Sequence, residues 1–167
     1  MFLETERMIL RKVQETDFEG SFREYLMDRE IDRMMCRNPS PDMDAARLSF
    51  DWFLHKEERA YVLVRKEGGK VIGNLTVYNS PPPFITDLEA LKGKTGRSLS
   101  FAMSRQYQRQ GLMSEAVNAV IDCLFQAEGV AYINCGYLSV NEPSRELQRK
   151  LGFSYLITEH IPAYMAS

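Results

Sequence analysis

Ser98-Leu99-Ser100-Phe101-Ala102-Met103-Ser104, then Arg105-Gln106-Tyr107-Gln108-Arg109-Gln110-Gly111-Leu112, then Met113-Ser114-Glu115-Ala116-Val117, is the stretch on which the fold turns. Its first seven residues read as a strand. From about 113 to 128, Ala116, Val117, Val120, Ile121, Leu124 and Phe125 fall on one helical stripe, and Gly129 is a natural stop. A strand that enters a helix through a short glycine-bearing turn is suited to an anion. The first helical turn has amides without intrahelical acceptors, the helix dipole makes that end partly positive, and Gly111 lets a ligand approach the backbone. Arg105 and Arg109 place cations beside it. The spacing is neither GxxxxGK(S/T) nor GxGxxG, which excludes a Walker loop and a dinucleotide fingerprint. On spacing alone, an ordinary tight connection fits the same residues.

Downstream, residues 130–137 (VAYINCGY) read as a buried strand, Pro143 opens a helix to about Leu151, Gly152 ends it, and 153–161 (FSYLITEHI) is a last strand. Upstream, 7–12 (RMILRK) is a first strand. Thr16 and Glu19 have capping-box spacing, and Phe18, Phe22, Tyr25 and Leu26 predict a helix over about 17–28. A short helix follows around Glu30–Met35. Ser40-Pro41 starts another, with Met43, Ala46, Phe50, Phe53 and Leu54 as its buried face. Residues 60–66 and 71–78 form a hairpin through Gly68-Gly69. Residues 79–96, with three consecutive prolines, read as an insertion near a site, with 87–91 (DLEAL) as a helical turn. Strands, helices, a hairpin pair and a βαβ unit in this order predict a mixed α/β fold with helices on both faces of the sheet.

Composition narrows the function. The chain has 167 residues, 44% apolar and 26% charged, enough for a core in one domain over 1–167. A formal net charge of -2 argues against a general grip on nucleic acid, although a local basic pocket for a phosphate is compatible with it. The apolar runs are too short to span a membrane, and the opening MFLETERMIL does not read as a signal peptide. Cys36, Cys123 and Cys135 show no CxxC spacing and read as reduced thiols of a cytoplasmic protein. His55 and His160 belong to no metal motif, so no metal site is expected. The chemistry then falls to backbone amides, hydroxyls and carboxylates.

Three separated segments together resemble one family. Gln108-Arg109-Gln110-Gly111-Leu112-Met113 resembles the Q/R-x-x-G-x-G/A coenzyme A loop of the GNAT N-acetyltransferases, with Met113 where the motif has Gly or Ala. Asn141-Glu142-Pro143-Ser144 followed by Lys150-Leu151-Gly152-Phe153 is similar to the family's segment after the next strand. Leu3-Glu4-Thr5-Glu6-Arg7-Met8-Ile9-Leu10-Arg11 resembles the opening of the branch that acetylates ribosomal-protein N-termini. The resemblance covers nearly the whole chain. It implies an α/β (α+β) GNAT fold with a mixed, mostly antiparallel sheet of about six strands and helices on both faces. Only one strand fits after Phe153 where the family has two, so the tail forms a shortened edge strand, a partner chain supplies it, or the sheet is one strand short; an exposed edge would invite a homodimer.

The resemblance also implies acetyl-CoA as co-substrate. It places the pyrophosphate on the backbone of Arg109, Gln110, Gly111, Leu112, Met113 and Ser114, and the pantetheine along Phe101, Ala102 and Met103. Asn141 corresponds to an asparagine that contacts the cofactor; by position it also caps a helix. Many members donate a proton to the departing thiolate from a tyrosine, but Gln148 stands there. Ser144, in the Asn-x-x-Ser turn, is then the expected donor, and a capping serine fits the same position. Tyr137 and Tyr155 are fallback hydroxyls. Glu89, in the proline-flanked insertion, is the candidate base, although a solvated loop carboxylate fits it better; Asp87 has the same ambiguity, and Glu142, close to the cofactor in sequence, also fits as a helix cap. Trp52 and Phe84 are candidate wall or lid residues, with core packing the default for Trp52. The expected partner is a peptide or small-molecule amine. A protein N-terminal amine, a small amine such as a polyamine, amino acid or aminoglycoside, and a non-catalytic acyl-CoA-binding module all fit the sequence.

Overall fold

The computed structural model describes residues 2–19, 25–36, 42–55 and 59–160. Six strands form one sheet in the order of the chain: β1 (Leu3–Glu4), β2 (Met8–Lys12), β3 (Arg59–Arg65), β4 (Val71–Tyr78), β5 (Gly96–Met103) and β6 (Tyr132–Cys135). Every neighbouring pair is antiparallel except β5 and β6, which are parallel. The parallel pair requires a crossover, and the long helix between those strands supplies it. Among the described residues five α-helices are bounded: α1 (Arg29–Met34), α2 (Met43–His55), α3 (Pro83–Thr86), α4 (Leu112–Glu128) and α5 (Glu142–Lys150).

The sheet is covered on both faces, so its central strands are continuous apolar runs. On one face Tyr61, Leu63, Leu75, Val77, Leu99 and Met103 meet the α4 stripe of Leu112, Ala116, Val117, Val120 and Leu124. On the other, Ala60, Val62, Val64 and Ala102 meet Phe50 and Phe53 of α2, Ile31 of α1, and Phe18 and Tyr25. The period-2 alternation of β3 therefore serves two cores. The predicted α4 holds from its first turn to Gly129, which is left-handed at φ 62°. Phe125, expected in the buried stripe, is exposed, as is Met43 on α2.

A bulge shifts β4. Leu63 pairs with Gly73 and Val64 with Val71, so Ile72 has no partner across the pair. The extra residue rotates the strand's phase, and Ile72 and Leu75, three apart, enter the same core. At the bulge β4 comes very close to β5. A Cβ on Gly73 would lie 2.4 Å from the Ala102 carbonyl oxygen and 2.9 Å from the Met103 Cα.

Several expectations are corrected. The first helical turn after β2 is a 3-10 turn, Glu15–Phe18, entered from Gln14, whose amide donates to the Asp17 carboxylate at 2.8 Å; Thr16 and Glu19 do not form the box. The acid that receives the amide bond also takes a two-nitrogen grip from Arg11, at 2.7 Å each, which explains why Asp17 is buried. Part of the expected helix over 17–28, and Ser40-Pro41, lie outside the described residues. The strand after α4 is four residues long and only half-buried, because β5 covers one of its edges. Residues 153–160 form no strand: Tyr155, Leu156 and Ile157 are exposed in irregular chain, and the outer edge of β6 pairs with no strand among the described residues. Strand propensity alone does not hold a segment on a sheet without side chains to pack against. The helical turn expected at 87–91 is present, with the Lys92 amide donating to the Leu88 carbonyl at 2.9 Å.

Replacing Gly73 by Ala is expected to cost about 2 kcal/mol, because the added carbon meets backbone rather than a flexible side chain. Thermal denaturation should show a melting temperature lower by about 4–8 °C. An unchanged melting temperature would show that the two strands separate easily there.

Candidate functional site

The pairing of β5 with β6 runs from Gly96–Tyr132 to Leu99–Cys135 and stops there, while β5 continues to Met103. The two strands part, and a cavity of about 1010 Å³ opens in the gap. Its walls are β5 residues 98–103, the turn to α4, the α4 N-terminus, Gly136 and Tyr137 after β6, and the first turns of α5, with α1 across the mouth. The Ser104 amide donates to Ile72 on β4 at 2.8 Å. Backbone groups alternate sides along a strand, so the N–H groups of Phe101 and Met103 point away from β4, into the gap.

The turn above the gap is held open by its own bonds. Arg105–Tyr107 is a 3-10 turn. The Gln108 side chain donates back to the Met103 carbonyl at 2.8 Å, and the Gln110 side chain to the Gln106 carbonyl at 2.9 Å. Arg109 (φ 60°) and Gly111 (φ 78°) are both left-handed. For Gly111 this is free of steric cost; for Arg109 it is strained, and the surroundings must enforce it. Gly111 is also the cap position of α4, and no side chain caps the helix there. The first-turn amides of α4 are thus directed at the cavity without a partner from their own helix.

Two ion pairs brace this turn from opposite sides. Arg7, in the β1–β2 connection, donates to the Gln110 carbonyl at 2.9 Å and to the Glu115 carboxylate at 2.7 Å, while its backbone amide donates to the same carboxylate at 2.8 Å. Burial alone would raise the Glu115 carboxyl; bonds from Thr5 and Arg7 and the Arg7 charge hold it below the ordinary value. On the other side, Arg105 donates to Asp28 at 2.7 Å. Asp28 also caps α1 by accepting the amides of Glu30 and Ile31. Sequence reading assigned neither Arg7 nor Asp28 a part at this turn, because their partners lie 103 and 77 residues away and no local spacing shows such a bond.

At the lower wall, Asn141 caps α5, accepting the Ser144 amide at 3.2 Å. Gln148, buried at 3% exposure, donates to the Gly136 carbonyl at 3.3 Å and to the Ser144 hydroxyl oxygen at 3.2 Å. Cys135 stands where β5 and β6 part. Its residue is half-buried, yet loss of solvent around the sulfur pushes the thiol up to about 12. The face of the sheet toward α1 carries hydroxyls and amides. Tyr78 pairs with Ser98, Ser98 with Asn134, and Thr76 with Ser100, and the Ser98 hydroxyl donates to the Asn134 oxygen at 3.1 Å. The carboxylates of the lining stand at the rim. Glu30, Glu142 and Glu146 are each beside the arginine three residues on, Arg33, Arg145 and Arg149.

The structure brings Phe101, Ala102, Met103, Arg109, Gly111, Leu112, Met113, Ser114, Asn141 and Ser144 to this one cavity. Gln110 enters through its carbonyl, bound by Arg7, rather than as lining. Glu89 is exposed in the turn after α3, and neither it nor Asp87, Phe84, Trp52 or Tyr155 lines the cavity. Trp52 is half-exposed on α2 rather than in the core. Among the described residues no group of His, Cys, Asp and Glu is placed to hold a metal ion.

A parted strand pair beside an uncapped helix N-terminus can take an extended ligand that ends in an anionic group. Residues 7–154 match the acetyltransferase (GNAT) domain model, and the chain belongs to that family. It is similar to an uncharacterized N-acetyltransferase, YoaA, of Bacillus subtilis (strain 168), with 26% identity over 156 residues, 90% of this chain and 81% of that protein. Among solved structures it shares its fold with a GNAT-family acetyltransferase from Bacillus anthracis (TM-score 0.74, 18% identity, 91% of this chain and 82% of that one). It also shares it with the ribosomal-protein-S5-alanine acetyltransferase from Vibrio fischeri (TM-score 0.66, 22% identity, 92% of this chain and 83% of that one). The expected six-strand sheet with helices on both faces is therefore the family's fold. No helix among the described residues is long and apolar enough to cross a membrane.

In a chain carrying Cys36→Ser and Cys123→Ser, the remaining thiol should react with an aromatic disulfide reagent at pH 8 about a hundredfold more slowly folded than unfolded. Equal rates would show that water reaches the Cys135 sulfur in solution.

Proposed function

We propose that this domain, over residues 1–167, transfers acetyl from acetyl-CoA to a primary amine by direct attack. The observation that carries the reading is the gap beyond Leu99–Cys135, with the Phe101 and Met103 amides on one side and the α4 N-terminus at its end. The pantetheine arm adds to β5 as a short strand, and the pyrophosphate is received by amides between Arg109 and Ser114. Asn141 contacts the arm while capping α5. The Met103 amide polarises the thioester carbonyl as negative charge develops on its oxygen. The amine nitrogen forms the new C–N bond, the C–S bond breaks, and the sulfur takes a proton from the Ser144 hydroxyl, which regains one from water. The amine's own proton leaves to water, with no protein base required among the lining residues. A thiol held near 12 is scarcely ionised at neutral pH, which supports direct transfer over an acetyl-cysteine at Cys135.

The acceptor face favours a peptide N-terminal amine over a polyamine or aminoglycoside. Its Tyr78, Ser98 and Ser100 row, which lines the cavity, offers neutral hydrogen-bonding groups suited to peptide amides. A polycation needs carboxylates for its remaining charges, and those of the lining stand at the rim beside arginines. The Vibrio fischeri protein of the same fold is an acetyltransferase of ribosomal-protein-S5 alanine, in keeping with an acceptor of this kind.

Release of free coenzyme A over a panel of amines tests the reading. Short peptides with free N-termini should be turned over and polyamines left at background; the opposite ranking would favour the small-amine reading, and no turnover of any amine would favour a binding module. Acetyl-CoA should raise the melting temperature, and Gly111→Asp should abolish the rise by setting a charge against the phosphates. No rise in the parent chain at millimolar acetyl-CoA would remove the cofactor claim. Ser144→Ala should lower kcat about a hundredfold with KM for acetyl-CoA changed less than about threefold; equal kcat would remove Ser144 from the chemistry.

A further inference from the structure

Gln148 is buried, yet it carries a primary amide and stands one helical turn after Ser144 on the same face of α5. A buried amide is tolerated only when its hydrogen bonds are made, and the bonds it makes fix its orientation. The Gly136 carbonyl is purely an acceptor. A bond between it and the end of the Gln148 side chain therefore requires the NH2 group there, with the amide oxygen turned away. The second N–H of that same nitrogen reaches the Ser144 oxygen at 3.2 Å. An amide nitrogen accepts nothing, so Ser144 is the acceptor of this bond. Among the described residues no acceptor takes the Ser144 hydroxyl proton itself.

We infer that Gln148 is a positioning residue that holds the Ser144 hydroxyl as an acceptor on its buried side, leaving its proton directed at the cavity where the thiolate departs. The inference rests on the reading of Ser144 as the proton donor. An isolated serine hydroxyl rotates among three staggered positions and can be captured by a carbonyl of its own helix, as serine commonly is. The Gln148 bond removes that competition. It needs both of its anchors. Gly136 follows β6 and lines the cavity, so the loop leaving the parted strand sets the rotamer of Gln148, and Gln148 sets that of Ser144. A donated hydrogen bond also draws electron density from the hydroxyl oxygen and makes its proton easier to give, as bonds in a chain reinforce one another.

The test is a cycle of four chains, parent, Ser144→Ala, Gln148→Met and the double variant, assayed with acetyl-CoA and the best amine of the panel. Met keeps the volume and removes both N–H groups. Gln148→Met should lower kcat about tenfold with KM for acetyl-CoA within about twofold, and should cost nothing further when Ser144 is already Ala. Gln148→Glu should lower kcat more than Met does, because an ionised carboxylate would accept the Ser144 proton and turn it from the cavity. A parent-like kcat in Gln148→Met, or an equal loss with and without the Ser144 hydroxyl, would overturn the inference. A parent-like kcat in Ser144→Ala with a tenfold loss in Gln148→Met would instead remove Ser144 as donor, and the inference with it, while leaving the acetyltransferase reading in place. If the Met variant does not fold, the parent chain answers by NMR. The Gln148 side-chain amide resonances should shift in Ser144→Ala, and unmoved resonances would overturn the bond.

Discussion

The molecule depends on the point where two parallel strands stop pairing. Up to Leu99 and Cys135 the sheet is closed by hydrogen bonds; beyond them β5 runs on with the Phe101 and Met103 amides facing the gap. Exposed backbone donors within a fold are costly unless something satisfies them, and here the open row faces a cavity large enough for an extended ligand. Both cores reach β5, one through Leu99 and Met103 and the other through Ala102. The bulge at Ile72 and the bare α-carbon of Gly73 press β4 against the far side of the same strand. The site is thus a defect in pairing, kept open by good packing elsewhere.

The fold was legible where one local pattern decides a whole element. The α4 stripe and Gly129 bound a long amphipathic helix, and the hairpin and its glycine turn lie where 60–78 place them. The phase of β4 was not legible, since the run Val71-Ile72 followed by Leu75 shows apolar residues but not which of them is squeezed out of register. Nor was the two-residue β1, too short for any periodicity. Residues 153–160 have the composition of a strand, yet composition offers a partner only if an edge and a packing surface coincide. The turn that closes one end of the cavity was legible because glycine, turn and helix end are consecutive. The polar row along the cavity was not, because Tyr78 and Ser98 become neighbours only through strand register.

The lower wall shows how one short helix combines tasks. The residues that start α5 also line the cavity, so capping and ligand contact are not competing explanations for Asn141 or Ser144. Gln148 joins this wall through an amide bonded to both Gly136 and Ser144. An amide cannot release a proton, but it can direct one, and its burial beside Gly136 gives it the rigidity for that.

Asp28 carries a kinetic consequence. One of its carboxylate oxygens receives the amides that begin α1, at the mouth of the cavity, and the other receives Arg105 at the start of the cofactor turn. In the proposed reaction the two substrates lie against walls that share this one side chain. On that proposal a substitution there would disturb both Michaelis constants together, and it would pass for a fault in either substrate's site if only one were titrated.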